Sequence, residues 1–217
     1  MIRLRMVGQG TGRAAMRALA RAAFAACCIA GLIVVAQAVR IPAKAALAQV
    51  LLNRAFDQAV AIGAPVKPWP WADTSPVARL SVARLGVSDV VLSGGSGEAM
   101  AFGPTMLDLQ GKSRNGSVIV LAGHRDTHFA WLRDLQPGDV VTLERLGSPA
   151  QTYRVRRFET VRWDRFAIPR DPPEPVLLLS TCYPFKATKP GPMRFVAWLE
   201  QGGPPNFEKR RDDPQLT

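Results

Sequence analysis

The sequence predicts a mainly β protein: a small closed or partly closed barrel of short strands, preceded by an N-terminal transmembrane helix. Three observations carry this. From Val77 onward, short runs alternate polar and apolar residues, as half-buried strands do. Turn signals separate those runs at short intervals, and eighteen glycines and eighteen prolines in 217 residues argue against a helical bundle. Finally, AAFAACCIAGLIVVAQAV, Ala22 to Val39, carries no charge and is about 18 residues long, enough for a helix to just cross a bilayer core.

The N-terminal organisation follows from charge. Residues 1–21 hold Arg3, Arg5, Arg13, Arg17 and Arg21 and no acid. Basic residues on that side of the 22–39 run keep the N-terminus cytoplasmic and send the rest of the chain out, which predicts a single-pass protein of the inner membrane. Ala36-Gln37-Ala38 also fits a signal-peptidase site, but signal cores are usually about 7–15 residues, so an uncleaved anchor is the better reading. The formal net charge of +11 invites a nucleic-acid function. The basic block abuts the apolar run, however, which points to membrane topology instead.

Residues 40–76 form a juxtamembrane region. In 43–61, Ala45, Leu47, Val50, Leu51, Phe56 and Val60 recur at helical spacing among Lys44, Gln49, Arg54 and Asp57, which predicts an amphipathic helix. GAPVKPWPWADTSP, residues 63–76, reads as an extended linker that packs on the following domain. Residues 77–200 form the barrel. VARLSVARLGVSDVVLSG predicts two strands with a turn near Gly86. AFGPTMLDLQG is loop with one helical turn. NGSVIVLAGHRD begins at the Asn115-Gly116 turn and runs as a strand to Gly123.

THFAWLRDL predicts a short helix with Phe129, Leu132 and Leu135 on one side. QPGDVVTLERLG opens on a turn and becomes a strand. QTYRVRRFETVRWD alternates from Thr152 to Val161, and Arg154, Arg156 and Arg157 there read as a solvated face. PVLLLSTC and MRFVAWLE are the last two strands. The polar residues 201–217 form a tail.

The chemistry-bearing residues stand at strand ends. Cys27 and Cys28 lie in the apolar anchor, so Cys182, after LLLST, has no cysteine partner in its own domain. An unpaired exported thiol is either reactive or a small core residue. His124 ends one strand, and Arg194 begins another twelve residues after the cysteine. Together the three suit acyl transfer. A thiolate attacks a carbonyl, an imidazole protonates the departing amine, and a guanidinium binds the oxygen that gains charge. His128 follows His124 at a metal-ligand spacing, but a zinc-protease motif needs glutamate where Arg125 stands, so no metal is expected. Asp126 can orient His124 or cap the following helix.

LAGHRD, Leu121 to Asp126, and LLSTC, Leu178 to Cys182, with Arg194 downstream, resemble sortases over about Val77 to Glu200. The basic anchor and WPWADTSPVARL, Trp69 to Leu80, resemble the Gram-negative subgroup termed class GN. The resemblance implies a membrane-anchored cysteine transpeptidase on an eight-stranded barrel, with no cofactor. It implies Cys182 as nucleophile, His124 as general acid and Arg194 as oxyanion stabiliser. Thr181 and Asp126 are the candidates for substrate contact. This chain has Leu178 where the family's TLxTC pattern begins with threonine. YPFKATKPGPM, between Cys182 and Arg194, is where a loop over the substrate groove is expected.

The implied partners are an exported protein with an LPXTG-like C-terminal sorting motif and an amine acceptor in the envelope. Two other readings are a papain-like periplasmic hydrolase and a non-enzymatic membrane-anchored β-domain that binds an envelope partner. The first usually places its cysteine at a helix N-terminus with histidine later in the chain, the reverse of the order here. The second predicts a buried, dispensable Cys182.

Overall fold

The computed structural model describes residues 9–107, 109, 118–169, 172–189 and 191–202. Arg3 and Arg5, the Asn115-Gly116 turn and the tail from residue 203 lie outside the described residues.

Two compact units divide at Leu47/Ala48. The described residues of the first all lie in helix α1, Gln9–Ile62, which contains Pro42. This helix includes a stretch long and apolar enough to cross a membrane, none of it buried within the protein.

The second unit holds the last turns of α1 and a closed barrel. Its strands are β1 (Pro76–Val82), β2 (Val87–Ser93), β3 (Thr105–Met106), β4 (Val118–Ala122), β5 (Val140–Arg145), β6 (Gln151–Arg162), β7 (Val176–Tyr183) and β8 (Met193–Gln201). Around the barrel they run β1-β2-β3-β4-β7-β8-β6-β5, and β5 pairs back to β1. A short helix α2, Gly97–Phe102, precedes β3, and a 3-10 helix covers Ala130–Asp134. The β1–β2 turn closes at Gly86, whose φ of 64° is the left-handed conformation that favours glycine.

Strand patterning sets the inside. β1 alternates buried and half-buried positions, placing Ala78, Leu80 and Val82 in the interior beside Leu121, Leu143 and Leu179. β7 departs from alternation, because Val176 to Leu179 are all buried. Leu177 and Leu179 fill the barrel. Val176 and Leu178 face outward into a second apolar cluster with Val118, Val120 and Val196. Leu107 and Leu109, after β3, and Phe166 and Ile168, in the β6–β7 connection, pack against that cluster. A strand covered on both faces reads as a continuous apolar run, which explains LLL in the sequence.

The helical stretch 43–61 forms, but its buried face differs from the expected one. Leu47, Val50 and Val60 are exposed. The buried stripe is Ala48, Leu52, Ala55, Phe56 and Ala59, again at helical spacing. Leu52 and Phe56 pack on Val90, Leu92 and Ala99. Of the large side chains in the expected set, Phe56 is buried, while Leu47, Val50 and Val60 point to solvent. Arg79 lies over the Phe56 ring, 4.6 Å from its centre, and its Nη2 donates to Asp57 at 2.7 Å.

The 63–76 segment packs on the barrel unit as expected. Ala72 and Thr74 are buried, the Thr74 hydroxyl donates to the Ser93 carbonyl at 2.9 Å, and Trp69 meets Phe102 edge-on. Trp71 stays exposed. At the other end, β8 extends through Gln201, one residue into the expected tail.

Candidate active site

The site is built on the central β4–β7–β8 sheet. β4 and β7 are parallel, with Leu121 opposite Leu179 and Ala122 opposite Ser180. The ladder carries on one residue past β4, because the Gly123 N–H donates to the Ser180 carbonyl at 3.2 Å. His124 therefore leaves the sheet at the level where β7 reaches Cys182. β7 and β8 are antiparallel, and Cys182 stands directly opposite Arg194. Opposed residues of adjacent strands share one face, with Cβ atoms about 4.5–5.5 Å apart. The alternation of β7 puts Cys182 on the outward face with Val176 and Leu178, and its thiol is half-exposed. All three cysteines are free.

Local chemistry shapes the histidine turn. The Phe129 N–H donates to the His124 carbonyl at 2.9 Å, folding residues 124–129 back on themselves. The buried Phe129 ring then lies against Gly123, where an added Cβ would come within 2.9 Å of a ring carbon. A larger residue at 123 would push the turn away from β7. His124 itself is exposed.

The Arg194 side chain is half-buried. Its Nη1 donates to the carbonyls of Gly191 and Met193, both at 2.9 Å. Among the described residues no carboxylate forms an ion pair with it. The guanidinium is thus held by backbone dipoles and keeps its remaining donors for another oxygen.

The other sequence-selected residues take different places. Thr181 is buried at 2% exposure, and its hydroxyl donates to the Gly123 carbonyl at 2.7 Å. That side chain joins β7 to the histidine turn. Asp126 is exposed and accepts from Arg125 Nε at 3.2 and 3.3 Å. It does not cap the following helix, which begins after Phe129 with no side-chain cap.

His128 is half-buried near Asp89. Burial raises the Asp89 carboxyl above its ordinary range, and the Trp131 indole N–H, 3.0 Å away, together with the neighbouring His128 partly offsets this. Among the described residues no group of three or more histidine, cysteine or acidic side chains is placed to hold a metal.

Sequence reasoning missed Arg125, seen there only as the residue that spoils a zinc motif. It is buried at 7% exposure, and its guanidinium donates to the carbonyls of Pro184, at 2.9 Å, and Ala187. No periodicity marks a buried arginine in a turn. The loop it reaches is also held by Phe185, whose ring packs on Phe195 at 5.0 Å.

A search of curated protein sequences finds no match. Among solved structures, the chain is similar to sortase A from Corynebacterium diphtheriae, at 21% identity and TM-score 0.52, covering 67% of each chain. It is similar to Listeria monocytogenes sortase A, at 21% identity and TM-score 0.51, covering 59% of this chain and 88% of that one. It also resembles sortase C1 from Streptococcus suis, at 17% identity and TM-score 0.52, covering 61% and 76%. These likenesses establish the barrel fold. The family model for the sortase domain matches residues 80–201, more than half of the chain, and on that match the chain belongs to the sortase family, whose members are cysteine transpeptidases.

Proposed function

We propose that this chain is a membrane-anchored transpeptidase that uses Cys182, His124 and Arg194 on an exported protein with an LPXTG-like C-terminal sorting motif. The observation that carries the reading is the pairing of Cys182 with Arg194 across β7 and β8, with His124 just past the end of the neighbouring strand. A nucleophile, a proton donor and a charged hydrogen-bond donor then border one outward-facing surface.

The Cys182 thiolate attacks a backbone carbonyl carbon of the motif. A C–S bond forms, and the carbonyl π electrons move onto oxygen, where the Arg194 guanidinium receives the charge. The tetrahedral species collapses, the C–N bond breaks, and the leaving amine takes a proton from the His124 imidazolium. A thioester on Cys182 remains. An amine acceptor then attacks the thioester carbon and gives its proton to the now neutral imidazole. The C–S bond breaks and the thiolate returns. Water in place of the amine gives hydrolysis.

On the resemblance of its basic anchor and of Trp69 to Leu80, the chain is assigned to class GN. Residues 22–39 anchor it in the inner membrane, with residues 1–21 cytoplasmic and the barrel outside. N-terminal sequencing of the mature protein checks the anchor: Met1 or Ile2 is expected, and a start at Val39 would mean cleavage.

Transfer itself is tested with the full chain in detergent, a library of LPXTG-like peptides and hydroxylamine as a small amine. A hydroxamate product that disappears in Cys182→Ala is expected. Unchanged peptides beside a thiol that resists alkylation would favour a non-enzymatic binding domain.

A further inference from the structure

Arg125 has no part in the three-residue chemistry above, yet it is buried and directly follows His124 in the chain. Its fork spans two loops that covalent connection leaves far apart. Through its own backbone it belongs to the histidine turn, immediately after His124. Through its guanidinium it holds the carbonyls of Pro184 and Ala187, in the loop that follows Cys182. Its Nε meets Asp126, which offsets the charge from the solvent side.

Thr181 ties the same two segments one residue before Cys182, by its bond to Gly123. The catalytic pair is thus bracketed. One clamp lies before the cysteine and before the histidine, and the other lies after both.

We propose that Arg125 is a positioning residue that sets His124 against Cys182 by fastening the histidine turn to the loop after β7. This rests on the transpeptidase reading for its chemical meaning. The chemical argument is one of geometry. Proton transfer from His124 requires hydrogen-bond reach to an atom bonded to the carbon that Cys182 attacks. His124 is exposed and lies beyond the last paired residue of β4, so the sheet alone does not fix it. A planar guanidinium with five donors can hold two carbonyls and a carboxylate at once. A lysine ammonium, a point charge on a flexible stem, can hold part of that set. Because the acceptors are backbone carbonyls, the loop's side chains are free to vary while the clamp persists.

The test compares the full-length wild type with Arg125→Lys, Arg125→Met, His124→Ala and the His124→Ala/Arg125→Met double variant. Two readouts are followed. The first is the rate of acyl-adduct formation with the peptide library. The second is the pH profile of Cys182 alkylation by a haloacetamide, which needs no peptide.

Misplacing a reacting group by about 1 Å can cost about 100-fold, so Arg125→Met is expected to lose roughly that much rate, with Arg125→Lys between it and wild type. Its alkylation profile should move to that of His124→Ala, and the double variant should match His124→Ala in both readouts. A wild-type alkylation profile in Arg125→Met, or a further loss in the double variant comparable to that in the single one, would overturn the proposal. If Arg125→Met fails to fold, Arg125→Lys alone decides, because an unshifted profile and a wild-type rate there would refute a role that depends on the fork. If no peptide forms an adduct with wild type, the transpeptidase reading fails, but the alkylation profiles still decide whether Arg125 governs the His124–Cys182 relationship.

Discussion

The Thr181 hydroxyl donates to the Gly123 carbonyl at 2.7 Å, so the residue before the candidate nucleophile is bonded to the residue before the candidate acid. Both groups are buried. Replacing Thr181 by valine keeps the shape and removes the donor, leaving a buried carbonyl unpaired. Such a loss typically costs about 1–3 kcal/mol. Chemical denaturation of Thr181→Val should show a drop of that size. Acyl-adduct formation should slow with it, because the turn that carries His124 loses a tether to β7.

Arg194 is expected to matter for rate far more than for folding. Among the described residues, its guanidinium bonds only backbone carbonyls of its own neighbourhood, Gly191 and Met193. Removing one charge-stabilising donor from a transition state typically lowers kcat about 10²–10³-fold. Arg194→Ala should therefore keep the wild-type circular dichroism spectrum and lose adduct formation by about that factor. Arg194→Lys should recover little, since one ammonium does not reproduce the fork. Turnover at the wild-type rate in Arg194→Ala would remove it from the mechanism.

Leu121 and Leu179 are fully buried and opposite each other on β4 and β7, in the barrel interior directly behind the site. Leu179→Ala should cost about 2–5 kcal/mol by lost burial and an unfilled cavity. Urea unfolding measures it. Leu47→Ala should be close to neutral by the same method, because Leu47 is 58% exposed.

Acid sensitivity has an identifiable source. The Arg84 guanidinium grips both Asp139 oxygens at 2.6 Å, and this holds the Asp139 carboxyl below its ordinary value of 3.8. A depressed folded value means that the unfolded chain takes up the proton first. Stability from this pair is fully present above the ordinary value and is lost as pH falls through the folded one. Asp89 has the opposite sign. Burial raises its carboxyl, so its contribution is full below 3.8 and declines as pH rises through its folded value. Thermal unfolding across pH should show Asp139→Asn flattening the acid limb of the stability curve.

How much of this was legible in the sequence depends on the signal each residue leaves. Gly86 and the Pro137-Gly138 pair marked turns, and the alternation in β1 and β6 marked strands, because the two-residue period reports one buried face. LLLSTC was readable as a strand end, although not as one covered on both faces. The docking stripe of α1 is only partly legible: Phe56 stands out, but Ala48, Ala55 and Ala59 carry little hydropathy while exposed Leu47 and Val50 carry much. The two-residue β3 was too short to show a period. Arg125 was invisible as a clamp, since burial of a charge depends on carbonyls 59 and 62 residues away in sequence. The proposed roles of His124, Cys182 and Arg194 rest on chemistry and family likeness. Their spatial relation, in particular the facing of Cys182 and Arg194, required the strand register.

A thioester on Cys182 is the bond that defines the proposed chemistry, and intact mass spectrometry reads it directly. Full-length protein in detergent is mixed with LPXTG-like peptides, quenched with acid and weighed, with Cys182→Ala alongside. An added mass equal to the acyl half of one motif is expected, on wild type only and removable by hydroxylamine. An adduct of the same mass on Cys182→Ala, or full peptide cleavage by that variant, would contradict it.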